Sequence, residues 1–451
     1  MYFAKETLSR HAGLGKTVQT SLREIKQKAK KDKAYTFRNL YRLLNKELLK
    51  LSWKSINKSA SAGTDKVTAK VFNENLDSNI DEIVDELKRK RYHAKLVRRV
   101  YIPKGKDKTR PLGIPAMKDK LTQSAAAKIL ESIYEQDFSK YSYGYRPKVG
   151  ASTAIKSITE ELQFGKYGYI VEADIKGFFN NISHEWLIKM LELRIKDKAF
   201  VNLINKWLKA GILEVDGQVI HPATGTPQGG IISPILANIY LHYALDLWFE
   251  KVVKRHCTGE AYLCRYADDF VCAFRYKEDA DRFYKAVALR LKKFGLELAL
   301  EKTSIISFSR FRKEENTYFE FLGFEYRWGI SAKGKDIIKR ATSRKKLRQS
   351  IKAFKSWCKE NRNNSIDKIM EMLNARLRGY YNYYGIIGNS KSLWRFYNNA
   401  MAILYKWLNR RSQRKSFNYS EFTNMIKRYG VLKPTIVELS GQQLSFNIDF
   451  A

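Results

Sequence analysis

The chain is short of cysteine, of clustered histidine, of long apolar runs and of acid, and each shortage closes off a class of protein. Four cysteines stand in 451 residues (Cys257, Cys264, Cys272 and Cys358), with no C-x-x-C pair among them. That argues against a disulfide framework or a structural zinc site and for free thiols in a reducing cytosol. His221, His242 and His256 likewise show no metal-type clustering. The first residues, Met-Tyr-Phe-Ala-Lys-Glu, contain no apolar signal core. The longest nearly apolar run, from Ile231 to Leu241, falls far below the ~20 residues a membrane-spanning helix requires. No internal repeat and no low-complexity tract is present. A cytoplasmic protein without membrane or zinc is expected.

The shortage of acid is the most informative. Against 46 Asp+Glu stand 84 Lys+Arg, a formal net charge of +38. Such an excess calls for a polyanionic partner, because neutralising phosphates releases condensed counterions and drives binding. It is also localised. From Ser331 to Gly430, 24 basic residues stand against 5 acidic ones, half of the whole excess. The first 36 residues carry 9 basic and 3 acidic side chains. Two nucleic-acid-facing regions flanking a more neutral middle are expected. Hydrophobic residues, at 44%, are ample for a packed core, and a chain this long is expected to divide into two to four lobes.

Residues 1–36 read as a Lys-rich arm, helical in part. Leu43, Leu44, Leu48, Leu49 and Leu51 predict an amphipathic helix over residues 41–51, and residues 80–90 a second, with a turn-rich loop at 59–65 between them. Residues 101–115 read as a hairpin around a basic turn, and 118–137 as a helix. Tyr169-Ile-Val-Glu-Ala-Asp174 is a β-type run that Gly177 breaks. Ser233-Pro234 then opens a long helix toward Phe249, with Ser as N-cap and Pro at the first helical position. Two short β-type runs, 261–266 and 270–274, flank Ala-Asp-Asp. Residues 278–293 put Ala280, Phe283, Val287 and Leu291 on one helical stripe, with Gly295 past its end. Strands are expected at 303–308 and 318–326. The order strand, helix, strand-turn-strand, helix, strand fits a ferredoxin-like α+β sheet. Beyond about residue 331 the pattern becomes helical, basic and aromatic.

An aspartate at the end of one strand and two more in a tight hairpin turn suit phosphoryl transfer. Such chemistry needs two divalent ions about 4 Å apart rather than covalent help, and magnesium takes a few carboxylates plus substrate oxygens. Asp174 and the pair Asp268-Asp269 have this placement. Asp is common in turns, so the pair alone is weak; the motifs around it decide.

Tyr266-Ala-Asp-Asp269 resembles the Y-x-D-D turn of reverse transcriptases, in the form usual for group II intron-encoded enzymes. Asp174-Ile-Lys-Gly-Phe-Phe179 is similar to their first metal motif, and Thr226-Pro-Gln-Gly-Gly-Ile-Ile-Ser-Pro234 to the P-Q-G segment beside the incoming nucleotide. Leu300-Glu-Lys-Thr303 and Phe321-Leu-Gly-Phe324 resemble the last palm motif and the primer grip. Arg110-Pro-Leu-Gly-Ile-Pro115 and Ser142-Tyr-Gly-Tyr-Arg-Pro147 look like the fingers motifs, and the run from Leu373 to Gly385 is similar to the thumb, or maturase, signature. The motifs stand in family order over nearly the whole chain.

The resemblance implies a right-hand polymerase: a basic arm (1–36), fingers (37–165), a ferredoxin-like palm (166–330), a helical thumb or maturase domain (331–432) and a tail (433–451). It implies that Asp174, Asp268 and Asp269, with the Ile175 carbonyl, hold two Mg²⁺ ions. Phe179 falls where the family excludes a 2′-hydroxyl and so selects dNTPs; its neighbour Phe178 would then pack in the core. Gln228 would contact the nucleotide, Lys104 and Arg110 would grip the triphosphate, and Lys302 would protonate the leaving pyrophosphate. Arg376, Arg378, Tyr380, Arg395, Arg410 and Arg411 lie in a stretch where cations and rings suit RNA, although half or more of its aromatics are expected in the thumb core.

The sequence departs from the family at two places. The chain ends soon after Lys433-Pro434 without the cysteine pairs of an HNH endonuclease, so DNA cleavage by this chain is not expected. Lys66 stands where relatives often have a second glycine. The expected activity is RNA-directed DNA synthesis coupled to binding of the chain's own group II intron RNA, to splicing and to retrotransposition at a DNA target. A host-adopted relative in phage defence or DNA repair would keep the same site. A splicing factor with a decayed polymerase would have lost the carboxylates first, and an RNA-templated RNA polymerase would not need the bulky Phe179.

Overall fold

The basic hairpin forms from β1 (Val97–Pro103) and β2 (Thr109–Ile114), antiparallel with Ile102 opposite Arg110. Its turn lies outside the described residues, which are 18–103, 109–226, 229–311, 317–411 and 416–438 of this computed structural model. The chain is a mixed α+β protein. The strands that matter for the site follow as β3 (Ser142–Tyr143), β4 (Tyr169–Asp174), β5 (Ile212–Leu213), β6 (Val219–Ile220), β7 (Ala261–Tyr266), β8 (Asp269–Phe274) and β9 (Ser304–Ser307). One sheet has the order β3-β7-β8-β4-β9; a second, β2-β1-β5-β6, carries the hairpin.

The central sheet is buried on both faces because its two middle strands carry apolar residues on both sides of the pleat. Val171, Ala173, Phe270, Cys272 and Phe274 enter one core, shared with the helices Met117–Tyr134, His184–Glu192, Lys198–Leu208 and Lys277–Lys293. Ile170, Val271 and Ala273 enter the other, under the helix Ala151–Phe164. A period of two along β4 and β8 thus sorts side chains between two layers and leaves the strand ends at one edge.

Several local expectations are corrected. Residues 41–51 are not one helix: a 3₁₀ turn, Tyr41–Leu43, is followed by the helix Lys46–Trp53, because the Asn45 side chain accepts the Leu48 N–H and caps a new start. Ser233 is not an N-cap. It is the first residue of the helix Ser233–Leu241, buried, with Ile232 preceding it. That helix continues through π-helical turns at His242–Asp246 and Phe249–Val253, a departure often found at functional sites. Residues 318–326 are two strands, β10 (Phe319–Phe321) and β11 (Phe324–Ile330), reversed at Leu322 and Gly323 with φ of 51° and 81°. β12 (Asp336–Thr342) pairs along β11 in the region expected to be helical.

Lys66 has φ of 58°, a left-handed conformation in which glycine carries no side-chain penalty. This is a physical reason for the glycine that the resemblance leads one to expect there. Of the basic arm, the helix Val18–Lys31 is described and ends basic, at Lys28, Lys30 and Lys31; residues 1–17 lie outside the described residues.

Beyond β12 the helices Arg344–Asn361, Ile366–Tyr384, Ser390–Leu408 and Tyr419–Arg428 build a separate apolar core around Phe354, Leu373, Leu377, Phe396 and Leu404. Ser343 and Ser365 cap the first two, and Asn418 and Glu421 form a capping box on the last. The buried Asn389 side chain holds Thr342, tying this bundle to β12.

Candidate active site

β4 and β8 run antiparallel with Asp174 directly opposite Asp269. Tyr266 pairs with Asp269 across β7 and β8, so Ala267 and Asp268 form a two-residue turn. Ala267 takes φ of 57° there, where glycine is usual. The turn is pinned on both sides: the Ala267 N–H donates to the Tyr143 carbonyl at 3.0 Å, and the Ala267 carbonyl accepts from Arg265 Nη1 at 2.8 Å. Asp174, Asp268 and Asp269 are therefore carried to the same end of the two interior strands β4 and β8.

Their electrostatics are those of crowded anions. Asp269 keeps solvent contact, yet dense protein surrounds its carboxyl. That desolvation, followed by the charges of Asp174, Asp268 and Glu172, pushes its pKa up to about 7. Lys302, from the 3₁₀ turn Leu300–Lys302, donates to Asp174 Oδ2, and the bond raises the lysine's pKa. Glu172 was not anticipated. Two residues before Asp174 on the same strand face, it is pushed up to about 7 by burial, against the opposing pull of the Glu320 N–H it accepts. The i, i+2 spacing of acids in Tyr-Ile-Val-Glu-Ala-Asp was the available signal.

The donor set fits a hard divalent cation. Carboxylate oxygens suit magnesium, and a cation among them relieves the repulsion that lifts Asp269. Among the described residues no three His, Cys, Asp or Glu side chains enclose one point, so substrate and water oxygens would have to complete the sphere, as magnesium prefers. The Ile175 side chain is buried, and the bridge between Ile175 and Leu298 uses the Lys176 N–H and the Asp174 carbonyl, not the Ile175 carbonyl.

Phe178 and Phe179 divide as two adjacent aromatics must. Phe178 is 2% exposed in the core, while Phe179 is half-buried with its ring edge-on to Tyr145 at 6.2 Å. The Phe179 carbonyl accepts the Thr226 N–H at 2.8 Å, which brings the Thr226-Pro-Gln segment beside it. Gln228 itself, like Lys104, lies outside the described residues. Arg110 lies near enough to oppose the rise in the Tyr145 pKa that burial causes and Asp268 reinforces. Arg110, Tyr145, Phe179 and Asp268 thus share one neighbourhood.

The six residues expected to bind RNA are not equivalent. Arg376, Arg378, Arg395 and Arg410 are exposed, and Arg411 is partly buried. Arg376 and Arg410 lie over the Trp357 and Trp407 rings at 5.2 and 5.6 Å, and Arg411 donates to the Asn364 carbonyl at 2.6 Å. Tyr380 is stacked on Phe396 at 3.7 Å, partly buried against the helical core.

Carboxylates presented on a tight hairpin and the strand beside it, with a lysine on one of them, suit nucleotidyl transfer with divalent ions. Residues 102–326 match the family of reverse transcriptases (RNA-dependent DNA polymerases), and residues 338–429 match the group II intron maturase-specific domain. The group II intron-encoded protein LtrA of Lactococcus lactis subsp. cremoris is 32% identical over 84% of this chain and 75% of its own length. Protein YkfC of Escherichia coli is 38% identical over 39% of this chain and 53% of its own, and the putative COX1/OXI3 intron 1 protein of Saccharomyces cerevisiae 36% over 38% and 20%. The chain belongs to the group II intron-encoded reverse transcriptases and maturases: it is an RNA-directed DNA polymerase that also assists splicing. Enzymes of this family work with divalent metal ions. Among the described residues no helix is long and apolar enough to cross a membrane.

Proposed function

We propose that the polymerase site is built on Asp174, Asp268 and Asp269, which hold two Mg²⁺ ions with help from the Ile175 carbonyl. The observation that carries this is the direct opposition of Asp174 and Asp269 across β4 and β8, with Asp268 in the adjoining turn. Magnesium, when bound, activates the primer hydroxyl and steadies the leaving pyrophosphate. Lys302 gives a proton to that pyrophosphate, Lys104 and Arg110 hold the triphosphate, Gln228 contacts the nucleotide, and Phe179 leaves no room for a 2′-hydroxyl.

The architecture is a right hand. We assign residues 37–165 to fingers, 166–330 to a ferredoxin-like palm and 331–432 to a thumb, with a basic arm (1–36) and a tail (433–451). The strand order β7-β8-β4-β9 supports the palm, and the separate core around Phe354 and Phe396 supports the thumb. The RNA partner is the chain's own group II intron, bound by exposed cations such as Arg378 and Arg395; the other partners are a DNA primer or target and dNTPs. The protein works in the cytoplasm, at the nucleoid when it acts on DNA.

The test is primer extension on an RNA template with Mg²⁺, comparing dNTPs with rNTPs. Wild type should make DNA from dNTPs and the Asp268→Ala/Asp269→Ala protein should not. Equal synthesis by the double variant would remove these carboxylates from the site.

A further inference from the structure

Among the described residues Arg265 is the largest side chain with no solvent exposure, and it lies one residue before the Tyr266-Ala-Asp-Asp motif. Taking a guanidinium out of water is costly unless every donor is satisfied. Here all five N–H groups are used. Nε and Nη2 fork onto Asp246 Oδ1 and Oδ2 at 2.7 and 2.6 Å. Nη1 donates to Asn238 Oδ1 at 3.1 Å and to the Ala267 carbonyl at 2.8 Å, and Nη2 also donates to Ser142 Oγ.

These partners come from three separate pieces of chain. Asn238 is on the helix Ser233–Leu241, and Asp246 is on the π-helical turn that follows it. Ser142 is in β3, parallel to β7, and Ala267 is in the carboxylate turn. Asn238 extends the network, since its Nδ2 donates to the Gly144 carbonyl at 2.9 Å. The next residue is Tyr145, with φ of 54° and its ring against Phe179. A guanidinium with no spare donor cannot slide without breaking a bond. The turn bearing Asp268 and the loop bearing Tyr145 are therefore held at a fixed spacing.

We infer that Arg265, with Asp246, Asn238 and Ser142, is a positioning device that aligns the carboxylate turn with the Tyr145–Phe179 pair and so sets both the rate of nucleotide addition and ribose selectivity. A buried ion pair adds little stability over a well-packed apolar pair, so fixed geometry is what this one supplies. The inference rests on the assignment of Asp268 and Asp269 to the polymerase site and, for selectivity, on that of Phe179. A displacement near 1 Å at a reacting centre costs on the order of a hundredfold in rate, so loosening one bond of the network should be visible.

The experiment uses the full chain with Ser142→Ala, Ser142→Thr and Asn238→Ala, variants that leave the Arg265–Asp246 pair intact. Single-nucleotide extension with dTTP and UTP gives kcat and KM, beside primer–template affinity and melting temperature. Each alanine variant leaves one buried guanidinium donor unpaired, so it should melt a few degrees below wild type, yet be fully folded at the assay temperature and bind primer–template as wild type does. Their kcat should fall on the order of tenfold, with KM for dTTP little changed and the preference for dTTP over UTP reduced by a similar factor. Ser142→Thr, which keeps the hydroxyl, should restore both. Wild-type kcat and selectivity in both alanine variants, or losses that only follow the unfolded fraction, would overturn the inference. Synthesis retained by Asp269→Ala would fail the site assignment instead, and the two failures read out separately.

Discussion

Lys302 donates its ammonium to Asp174 Oδ2, so the carboxylate at the end of β4 is already paired with a cation of the protein's own. A divalent ion at Asp174 must displace that contact or share it. The bond raises the lysine's pKa and so keeps it charged at neutral pH; it becomes the better proton donor to departing pyrophosphate once a divalent ion takes over Asp174 and that bond is released. Lys302→Ala should therefore have two effects of opposite sign. Mg²⁺ should bind the free enzyme more tightly, because a competing cation is gone, while nucleotide addition slows by on the order of a hundredfold. Calorimetric Mg²⁺ titration and single-turnover extension measure the two; an unaltered extension rate would exclude the lysine as the proton donor.

Phe179 is the member of its aromatic pair that is not sealed in the core, and Tyr145 meets its ring edge-on. Phe179→Ala should admit a 2′-hydroxyl and cost little stability, whereas Phe178→Ala should destabilise by about 3 kcal/mol and leave selectivity unchanged. The ratio of kcat/KM for dTTP over UTP should drop on the order of a hundredfold in Phe179→Ala. If Phe178→Ala changes the ratio instead, the two rings have been assigned the wrong way round.

Much of this site was open to reading because it is local. Asp174 ends one apolar run and Asp268-Asp269 stand between two others, which marks strand ends and a turn, and the neighbouring motifs supplied the pairing that places Asp174 opposite Asp269. The features that were missed depend on distant chain. Arg265 stands in the β-type run Tyr-Leu-Cys-Arg-Tyr, and its burial is set by Asp246, Asn238 and Ser142. The break at Leu322 and Gly323 was hidden because Phe-Leu-Gly-Phe is apolar on both sides, and β12 because its pairing with β11 outweighs a basic, helix-like composition. The single helix expected over 41–51 failed locally, since the capping Asn45 sits inside the leucine pattern.

The helical bundle gives a prediction in which neighbouring residues behave differently. Tyr380 stacks on Phe396, whereas Arg378, two residues earlier, is exposed, as is Arg395. Tyr380→Ala should cost about 3 kcal/mol of stability. Arg378→Ala and Arg395→Ala should melt like wild type, weaken intron RNA binding and each lower the slope of log affinity against log salt by about 1. Salt-dependent filter binding beside thermal melts separates the two classes. A normal melting temperature for Tyr380→Ala with weakened RNA binding would make that ring an RNA contact after all.

His242 gives the acid limit of the fold. It is 3% exposed on the first π-helical turn, with Phe138 edge-on at 5.6 Å and no partner for Nδ1. Burial lowers its pKa to about 4; Asp246 opposes the shift, while Arg265, Arg146 and Lys251 reinforce it. The folded value lies below that of an unfolded histidine, so the unfolded chain binds the proton more tightly and stability falls as the pH falls. The loss begins near the ordinary histidine pKa and is complete below about 4. Linkage puts it at roughly 2 kcal/mol by pH 5 relative to pH 8. His242→Gln removes the ionisable group from the same position, so the difference in stability between pH 8 and pH 5 should shrink by about that amount. Urea unfolding of both proteins at the two pH values measures it, and an identical pH dependence in wild type and His242→Gln would assign the acid sensitivity to other groups.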